Sequence, residues 1–501
     1  MKRTPLTWLT AAALLCAAPP AAFAQGTVDD RAAVIRGEKT LRDCHIANYR
    51  QELLCGTHRV FEDREAQSGR ELDIHFAIVP AVGDRPDNDP VVVFAGGPGQ
   101  AAMSLVTLAR LVFEKVLESR DVVLIDQRGI GASAPLTCEL PDLDLDLPPS
   151  EIQAQTRELL KTCADGWDAD VSLYTQDIAN ADIHEILRAL GYRSVNLFGG
   201  SWGTRSALLY AHRYPDHVRS VVLDGALPLD NPAPLYAAED AERALGGLLS
   251  DCAEDAACHK AFPDLEGDLD RALARLDAAG GEPLRITLND PLTGMPQPAT
   301  LDREVFGGLL RAVLYAPELG RMIPWLIHRA AVGDYRPLLG SASFLTSSIS
   351  GGMTFGAQLA IFCAEEIPRA SGATPAPAPR IGLQMWHSIS GGCDALPPLS
   401  TPAIYSEAVR SSAPALILSG DRDPITPPRW GDAMAEAFDD AVHLTAPFTG
   451  HNVSPVGCAP ELITTFVETA DTQAVDGSCL DDVTRPSFFI NSSGPDNGGA
   501  Q

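Results

Sequence analysis

A single serine, Ser201, stands between glycines in the sequence GGSWGT, at a place where the local pattern changes. The apolar run Val195–Phe198 before it predicts a short strand, and Thr204–Arg213 after it predicts a helix. A sharp strand-to-helix turn requires small neighbours, and it exposes the serine hydroxyl as a nucleophile. The pattern therefore favours a catalytic Ser201, although a glycine-rich turn with a capping serine has the same local sequence.

A serine hydroxyl needs a base to act as a nucleophile, and the base needs a carboxylate that orients it. Turns of this kind are followed by the acid and then by the histidine, each after a late strand. The apolar run ALIL is followed by SGDRDPITPP, and the run AVHLTAPF is followed by TGHNV. These positions predict His451 as the base and Asp423 as its acid, with Asp421, nearer the strand, as the alternative acid.

The third requirement is a pair of donors for the negative charge that develops on the attacked carbonyl oxygen. The run VVVF leads into AGGPGQ, where glycines let the main chain approach a substrate closely. We expect the backbone amides of Gly97 and of Trp202, the residue after the serine, to form this oxyanion hole. One such donor typically contributes about 3 kcal/mol to transition-state stabilisation.

These candidate residues lie within a repeating strand and helix pattern. The apolar runs Val91–Phe94, Val122–Ile125 and Val218–Leu223 are typical of strands that are buried on both faces. Helical patterns such as Ser104–Leu117 and Thr175–Leu190 lie between them. The alternation predicts an α/β fold with a mostly parallel central sheet and helices on both faces.

The pattern changes after Asp224 and returns near the C-terminus. Ala237–Leu276 and Asp302–Tyr335 are helical in pattern, and Ala415–Leu418 and Ala441–Leu444 restore strands. The sequence thus predicts a helical lobe inserted into the sheet domain. The predicted division is a leader at 1–24, a disulfide-containing segment at 25–70, the sheet domain at 71–235, the inserted cap lobe at 236–400, the rest of the sheet domain at 401–485 and a disordered tail at 486–501.

The composition indicates an exported globular protein. The chain has 501 residues and a formal charge of −28, which argues against nucleic-acid binding because phosphates require a basic surface. Lys2 and Arg3, an apolar stretch and the small residues Ala22-Phe23-Ala24 predict a cleaved signal peptide, and no membrane anchor is expected. Ten cysteines remain after the leader, and we expect disulfides, hypothetically between chain neighbours: Cys44 with Cys55, Cys138 with Cys163, Cys252 with Cys258, Cys363 with Cys393, and Cys458 with Cys479.

The motifs together resemble the α/β-hydrolase superfamily. More narrowly, they are similar to exported serine peptidases of the prolyl and tripeptidyl aminopeptidase group. The matching pieces are AGGPGQ, DQRGIGAS, GGSWGTRSALLYAHRYPDHV, VVLDGALP, AIFCAEEIP, SGDRDPITPP and GHNV, and the C-terminal portion resembles the module named after the tripeptidyl enzymes. One departure is Ala95, which stands where the prolyl enzymes have histidine before the glycines.

The resemblance implies an aminopeptidase that removes one to three residues from free N-termini of short peptides. It implies no metal and no organic cofactor. It also implies an acidic pocket for the substrate ammonium group, for which Glu365 and Glu366 are the candidates, although neighbouring glutamates are more often a surface pair. Two other functions remain open: an esterase or lipase acting on small acyl substrates, and a non-catalytic binding protein on the same scaffold.

Overall fold

The computed structural model describes residues 33–47, 49–83, 87–138, 147–278, 282–289, 294–342, 352–370 and 372–495. The predicted leader at 1–24 and the end of the predicted tail, at 496–501, lie outside these residues. The strands are β1 (Val34–Arg36), β2 (Lys39–Cys44), β3 (Leu53–Phe61), β4 (Glu71–Val79), β5 (Val91–Phe94), β6 (Val122–Ile125), β7 (Val195–Gly200), β8 (Val218–Asp224), β9 (Leu284–Asn289), β10 (Pro296–Leu301), β11 (Ala415–Gly420) and β12 (Ala441–Ala446).

Helices cover both faces of the main sheet and build most of the inserted lobe. A further helical segment spans residues 336–342. The labelled helices are α1 (Val106–Val112), α2 (Pro149–Asp165), α3 (Gln176–Ala189), α4 (Gly203–Arg213), α5 (Ala233–Glu254), α6 (Ala256–Ala261), α7 (Leu265–Asp277), α8 (Arg303–Leu314), α9 (Pro317–Gly320), α10 (Ile323–Ala331), α11 (Phe355–Glu365), α12 (Gln384–Cys393), α13 (Pro428–Ala435) and α14 (Ala459–Thr469).

The main sheet has ten strands in the order β1-β2-β3-β4-β6-β5-β7-β8-β11-β12. Strands β5 to β8, β11 and β12 pair in parallel, whereas β1 to β4 form an antiparallel edge that joins β6. The parallel strands are apolar runs because helices cover both of their faces. The predicted α/β fold with a mostly parallel sheet is therefore confirmed.

Two of the predicted boundaries differ from the structure. The segment 25–70 was predicted to precede the sheet domain, but it extends the sheet, because β3 pairs with β4 and β2 pairs with β3. The segment 486–501 was predicted to be disordered, yet Phe488 is 5% exposed and packs in the core of the inserted lobe. Phe488 gains its apolar partners from distant parts of the chain, whereas β1 to β3 pair with their neighbours in the sequence.

The inserted lobe has its own apolar core. Residues of α5, α7, α8 and α10 form this core, and the hairpin β9–β10 packs beside it. Two separate apolar clusters cover the two faces of the main sheet. The lobe leaves the sheet after β8 and the chain re-enters at β11, which pairs directly with β8. The insertion therefore lies between two neighbouring strands and does not interrupt the sheet.

Five disulfides join the cysteines that remain after the predicted leader. Each bond joins two cysteines that are consecutive among the cysteines of the sequence, and Cys44–Cys55 links the paired strands β2 and β3. Such a set is typical of proteins that fold in an oxidising compartment. Among the described residues, none of the helices has the length and apolar character that a membrane span requires. The bonds are Cys44–Cys55, Cys138–Cys163, Cys252–Cys258, Cys363–Cys393 and Cys458–Cys479.

The buried sheet predicts a large difference between two identical substitutions. Leu416 in β11 is 0% exposed, whereas Leu111 in α1 is 58% exposed. Leu416→Ala leaves a cavity between β11 and its covering helices, so we expect it to lower the free energy of unfolding by about 3 kcal/mol. Leu111→Ala should change it by less than about 0.5 kcal/mol. Urea unfolding measures both values, and equal shifts would contradict the described packing.

Candidate active site

Ser201 lies on the turn between β7 and α4, with a positive φ of 55°. Positive φ is costly for a residue with a side chain and is typical of functional turns. The turn is so tight that a Cβ atom on Gly203 would lie 2.0 Å from the Phe94 carbonyl oxygen, and one on Gly199 would lie 2.5 Å from the Gly203 carbonyl oxygen. The two glycines are therefore required by the space around them, as a nucleophile turn predicts.

His451 and Asp423 are joined by a hydrogen bond at the C-terminal edge of the sheet. The distance between His451 Nδ1 and Asp423 Oδ2 is 2.8 Å. The Asp423 carboxylate is fully buried, and its Oδ1 accepts hydrogen bonds from the Ile425 and Thr426 amides, both at 2.8 Å. Thr426 Oγ1 donates to Asp423 Oδ2 at 2.7 Å. With Nδ1 donating to Asp423, the Nε2 atom of His451 is left free to accept a proton.

The pKa values of this pair move apart in the directions that a base and its orienting acid require. Burial lowers the pKa of His451, but the charge and hydrogen bond of Asp423, together with the charge of Asp224, raise it above its ordinary value overall. Burial raises the pKa of Asp423, but His451 and the two backbone donors bring it below its ordinary value. Asp423 is therefore ionised near neutral pH and stabilises the protonated form of His451.

Asp224, at the end of β8, joins the serine turn to the histidine loop. Its carbonyl oxygen accepts hydrogen bonds from Ser201 N at 2.8 Å and from Asn452 Nδ2 at 3.2 Å. Its carboxylate accepts the amides of Val453 at 2.7 Å and Ser454 at 2.8 Å. This role of Asp224 was not predicted, although its place at the end of a buried strand, in VVLDGALP, is a signal for it.

No hydrogen bond joins the Ser201 hydroxyl to His451 in the described part of the chain. Catalytic hydrogen bonds of this kind are often long without substrate and shorten when substrate binds. The two side chains are brought to the same edge of the sheet by the shared contacts of Asp224. The alternative acid, Asp421, pairs instead with Arg422 at 2.8 Å.

The loop after β5 passes directly beside the serine. A Cβ atom on Gly96 would lie 3.0 Å from Ser201 Cβ, and Gly97 has a positive φ of 109°. Among the described residues, no acceptor is bonded to the amide of Gly97 or to that of Trp202. Both predicted donors are thus available for an oxyanion, and the Thr354 amide holds the loop by donating to the Gly99 carbonyl at 2.8 Å.

The two glutamates predicted to bind the substrate ammonium group lie close to Trp202 but are completely buried. Glu366 is 0% exposed and pairs with Arg205 at 2.5 Å and with Arg369 at 3.1 Å. Glu365, also 0% exposed, accepts hydrogen bonds from Tyr405 Oη at 2.5 Å and from a backbone amide. Burial raises the pKa of Glu365 to about 7.

The structure therefore differs from the prediction of an accessible acidic pocket. Arg205 and Arg369 both pair with the Glu366 carboxylate, Tyr405 and the Gln176 amide donate to the Glu365 carboxylate, and neither carboxylate faces solvent. The sequence revealed the two charges but not the burial of both side chains or the distant Arg205 that pairs with Glu366. The Arg205 guanidinium, on α4, also lies over the Trp202 ring, 4.6 Å from the ring centroid. The buried charges therefore pack against the residue that follows Ser201.

Comparisons with known proteins agree with this architecture. The family model for the alpha/beta hydrolase fold matches residues 89–277, and the model for TAP-like proteins matches residues 378–479. The serine protease Hip1 of Mycobacterium tuberculosis (strain H37Rv) is 24% identical over 461 residues, covering 83% of this chain and 85% of the relative. The tripeptidyl aminopeptidase of Streptomyces coelicolor is 24% identical over 478 residues, covering 88% and 85%.

A shorter match relates the chain to a third peptidase. The proline iminopeptidase of Neisseria meningitidis serogroup B is 30% identical over 140 residues, which cover 28% of this chain and 33% of the relative. The fold and the two family matches together show that the chain belongs to the α/β-hydrolase superfamily, as its motifs predicted. The two long matches support the narrower prediction of a serine peptidase with a TAP-like C-terminal part.

The contacts of His451 predict how the activity depends on pH. A protonated His451 cannot accept the serine proton, so kcat/KM should rise with pH through an apparent pKa above about 6.5, the ordinary value for histidine. Asp423→Asn removes the charge that raises this pKa, so the midpoint should move to lower pH while the rate falls by about 10⁴-fold. Rates of wild type and variant from pH 5 to 9 measure both effects.

The matched control is Asp421→Asn, which alters the neighbouring acid that pairs with Arg422. It should leave the midpoint close to that of the wild type. If Asp421→Asn moved the midpoint and Asp423→Asn did not, the assignment of the acid would be wrong.

Proposed function

We propose that the protein is an exported serine aminopeptidase that cleaves short peptides through an acyl-enzyme. The observation that carries the proposal is the hydrogen-bonded pair of His451 and Asp423 beside a strained serine turn with free backbone amides. The two long relatives, named as a serine protease and a tripeptidyl aminopeptidase, support peptide bonds as the substrate.

In the proposed reaction, Ser201 Oγ attacks the carbonyl carbon of the scissile bond and transfers its proton to His451 Nε2. Asp423 stabilises the imidazolium that forms. The amides of Gly97 and Trp202 donate to the oxyanion of the tetrahedral intermediate. When this intermediate collapses, the carbon–nitrogen bond breaks and His451 gives its proton to the leaving amine.

A water molecule then releases the acyl group. His451 takes a proton from the water as its oxygen attacks the ester carbon, and a second tetrahedral intermediate forms in the same oxyanion hole. Its collapse returns the proton to Ser201 Oγ and frees the carboxylic acid. The Ser201 proton thus leaves on the amine, and a proton from the water replaces it on Ser201 Oγ.

The inserted lobe supports a preference for chain ends. Its segment 352–354 contacts the loop after β5, and its Phe362 packs edge-to-face on Trp202 with ring centroids 5.5 Å apart. These contacts bring lobe residues against the loop after β5 and against the residue that follows Ser201, where we expect them to restrict the approach of a long polypeptide. We propose release of one to three residues, with the ammonium group recognised by groups other than the buried Glu365 and Glu366.

Export is proposed from two independent features. Five disulfides are typical of proteins from oxidising compartments, and the N-terminal sequence has the basic, apolar and small-residue parts of a signal peptide. The proposed location is the periplasm or the external medium.

A substrate panel tests the proposal. Mono-, di- and tripeptidyl amides, each with a free or an acetylated N-terminus, are compared with a simple ester on wild type, Ser201→Ala and the control Ser388→Ala, an exposed serine on α12. We expect the free peptidyl amides to be cleaved best, and Ser201→Ala to lose about 10⁴-fold or more in kcat while Ser388→Ala retains activity. Cleavage of the ester alone would indicate an esterase, and no turnover of any substrate would indicate a binding protein.

A further inference from the structure

Tyr315, in the inserted lobe, contacts the predicted catalytic histidine directly. Its ring lies against the imidazole of His451 in an edge-to-face arrangement, with centroids 5.1 Å apart and planes at 71°. Its carbonyl oxygen accepts a hydrogen bond from the His451 amide at 3.2 Å. The lobe thus holds both the backbone and the ring of a residue that belongs to the sheet domain.

The position of Tyr315 is fixed by the lobe's own core. It follows α8 immediately, and the buried side chains of that helix, Phe306, Leu310 and Val313, are each 0% exposed in this core. A helix anchored at three points of its buried face has little freedom at its end. The ring of Tyr315 therefore has a fixed position against the imidazole of His451.

The ring also limits the access of water to the imidazole. The side chain of His451 is 7% exposed. Asp423 and Asp224 are the charged groups that face it, and Arg311 lies beside the Tyr315 phenol. Burial raises the pKa of Tyr315, so its phenol is neutral near neutral pH and adds no charge beside the base.

We propose that Tyr315 is a positioning residue for His451, through which the inserted lobe takes part in catalysis. The inference rests on the proposed function, because it assigns His451 as the base. Asp423 fixes Nδ1 from one side, and Tyr315 prevents the imidazole from turning or moving away from Ser201. An imidazole displaced by about 1 Å can lose on the order of 100-fold in rate.

The test compares two tyrosines of the same lobe. Tyr335 is 2% exposed, packs edge-to-face on Phe306 and donates to the Ala272 carbonyl, without contacting the site. Tyr315→Leu, Tyr315→Phe, Tyr335→Leu and wild type are treated with a fluorophosphonate from pH 5 to 9. The measured quantity is the rate of labelling per folded molecule, with the folded fraction taken from circular dichroism.

We expect Tyr315→Leu to label at least about tenfold more slowly than wild type, and its pH midpoint to move upward because water reaches His451 and relieves the burial that lowers its pKa. Tyr315→Phe keeps the ring and should recover most of the rate, and Tyr335→Leu should label at the wild-type rate despite lower stability. Equal labelling rates for Tyr315→Leu and wild type, or equal losses of labelling rate in Tyr315→Leu and Tyr335→Leu, would overturn this inference but leave the proposed function standing. A wild type that is not labelled would overturn the proposed function and the inference with it.

Discussion

The site depends on Asp224, which holds two distant parts of the chain in one place. Through its carbonyl it binds the amide of Ser201, and through its carboxylate it binds the amides of Val453 and Ser454 beside His451. It is 0% exposed, so these hydrogen bonds do not compete with water.

The same constraint explains how the fold accommodates a large insertion. The lobe begins just after Asp224, yet β8 and β11 remain paired from Val221 with Ala415 to Asp224 with Leu418. The ends of the insertion are thus held side by side by a continuous sheet. The loop with Asp423 follows β11, and the loop with His451 follows β12. Both loops therefore start from strands of the sheet, whose positions do not depend on the size of the lobe inserted between β8 and β11.

The lobe in turn contacts each part of the site rather than only covering it. These contacts are between separate elements of the lobe and separate loops of the sheet domain, so the geometry of the site depends on how the two are packed together. The contacts are Thr354 with Gly99, Phe362 with Trp202, Arg243 with the Asp423 carbonyl, and Tyr315 with His451.

The features that could be predicted from the sequence are those that depend on residues close together in the chain. The serine turn, the strands around it and the order of acid and histidine follow from glycine sterics and apolar runs, and the positions of Ser201, Asp423 and His451 could be proposed from them. The antiparallel edge β1–β3 was missed although its strands pair with sequence neighbours, because β1 and β2 are short, only partly buried and without an apolar run. The packing of Phe488 could not be predicted because its partners lie far along the chain. The neutralisation of Glu366 by Arg205 was hidden for the same reason, as was the contact of Tyr315 with His451.

The central claim is that Ser201 is a nucleophile activated by His451. The most direct measurement is to treat the wild type and His451→Ala with a fluorophosphonate and to map the adduct by peptide mass spectrometry. The account predicts one adduct, on the peptide that contains Ser201, and almost none in His451→Ala after the same time. An adduct on another residue, or equal labelling of Ser201 in both proteins, would contradict it.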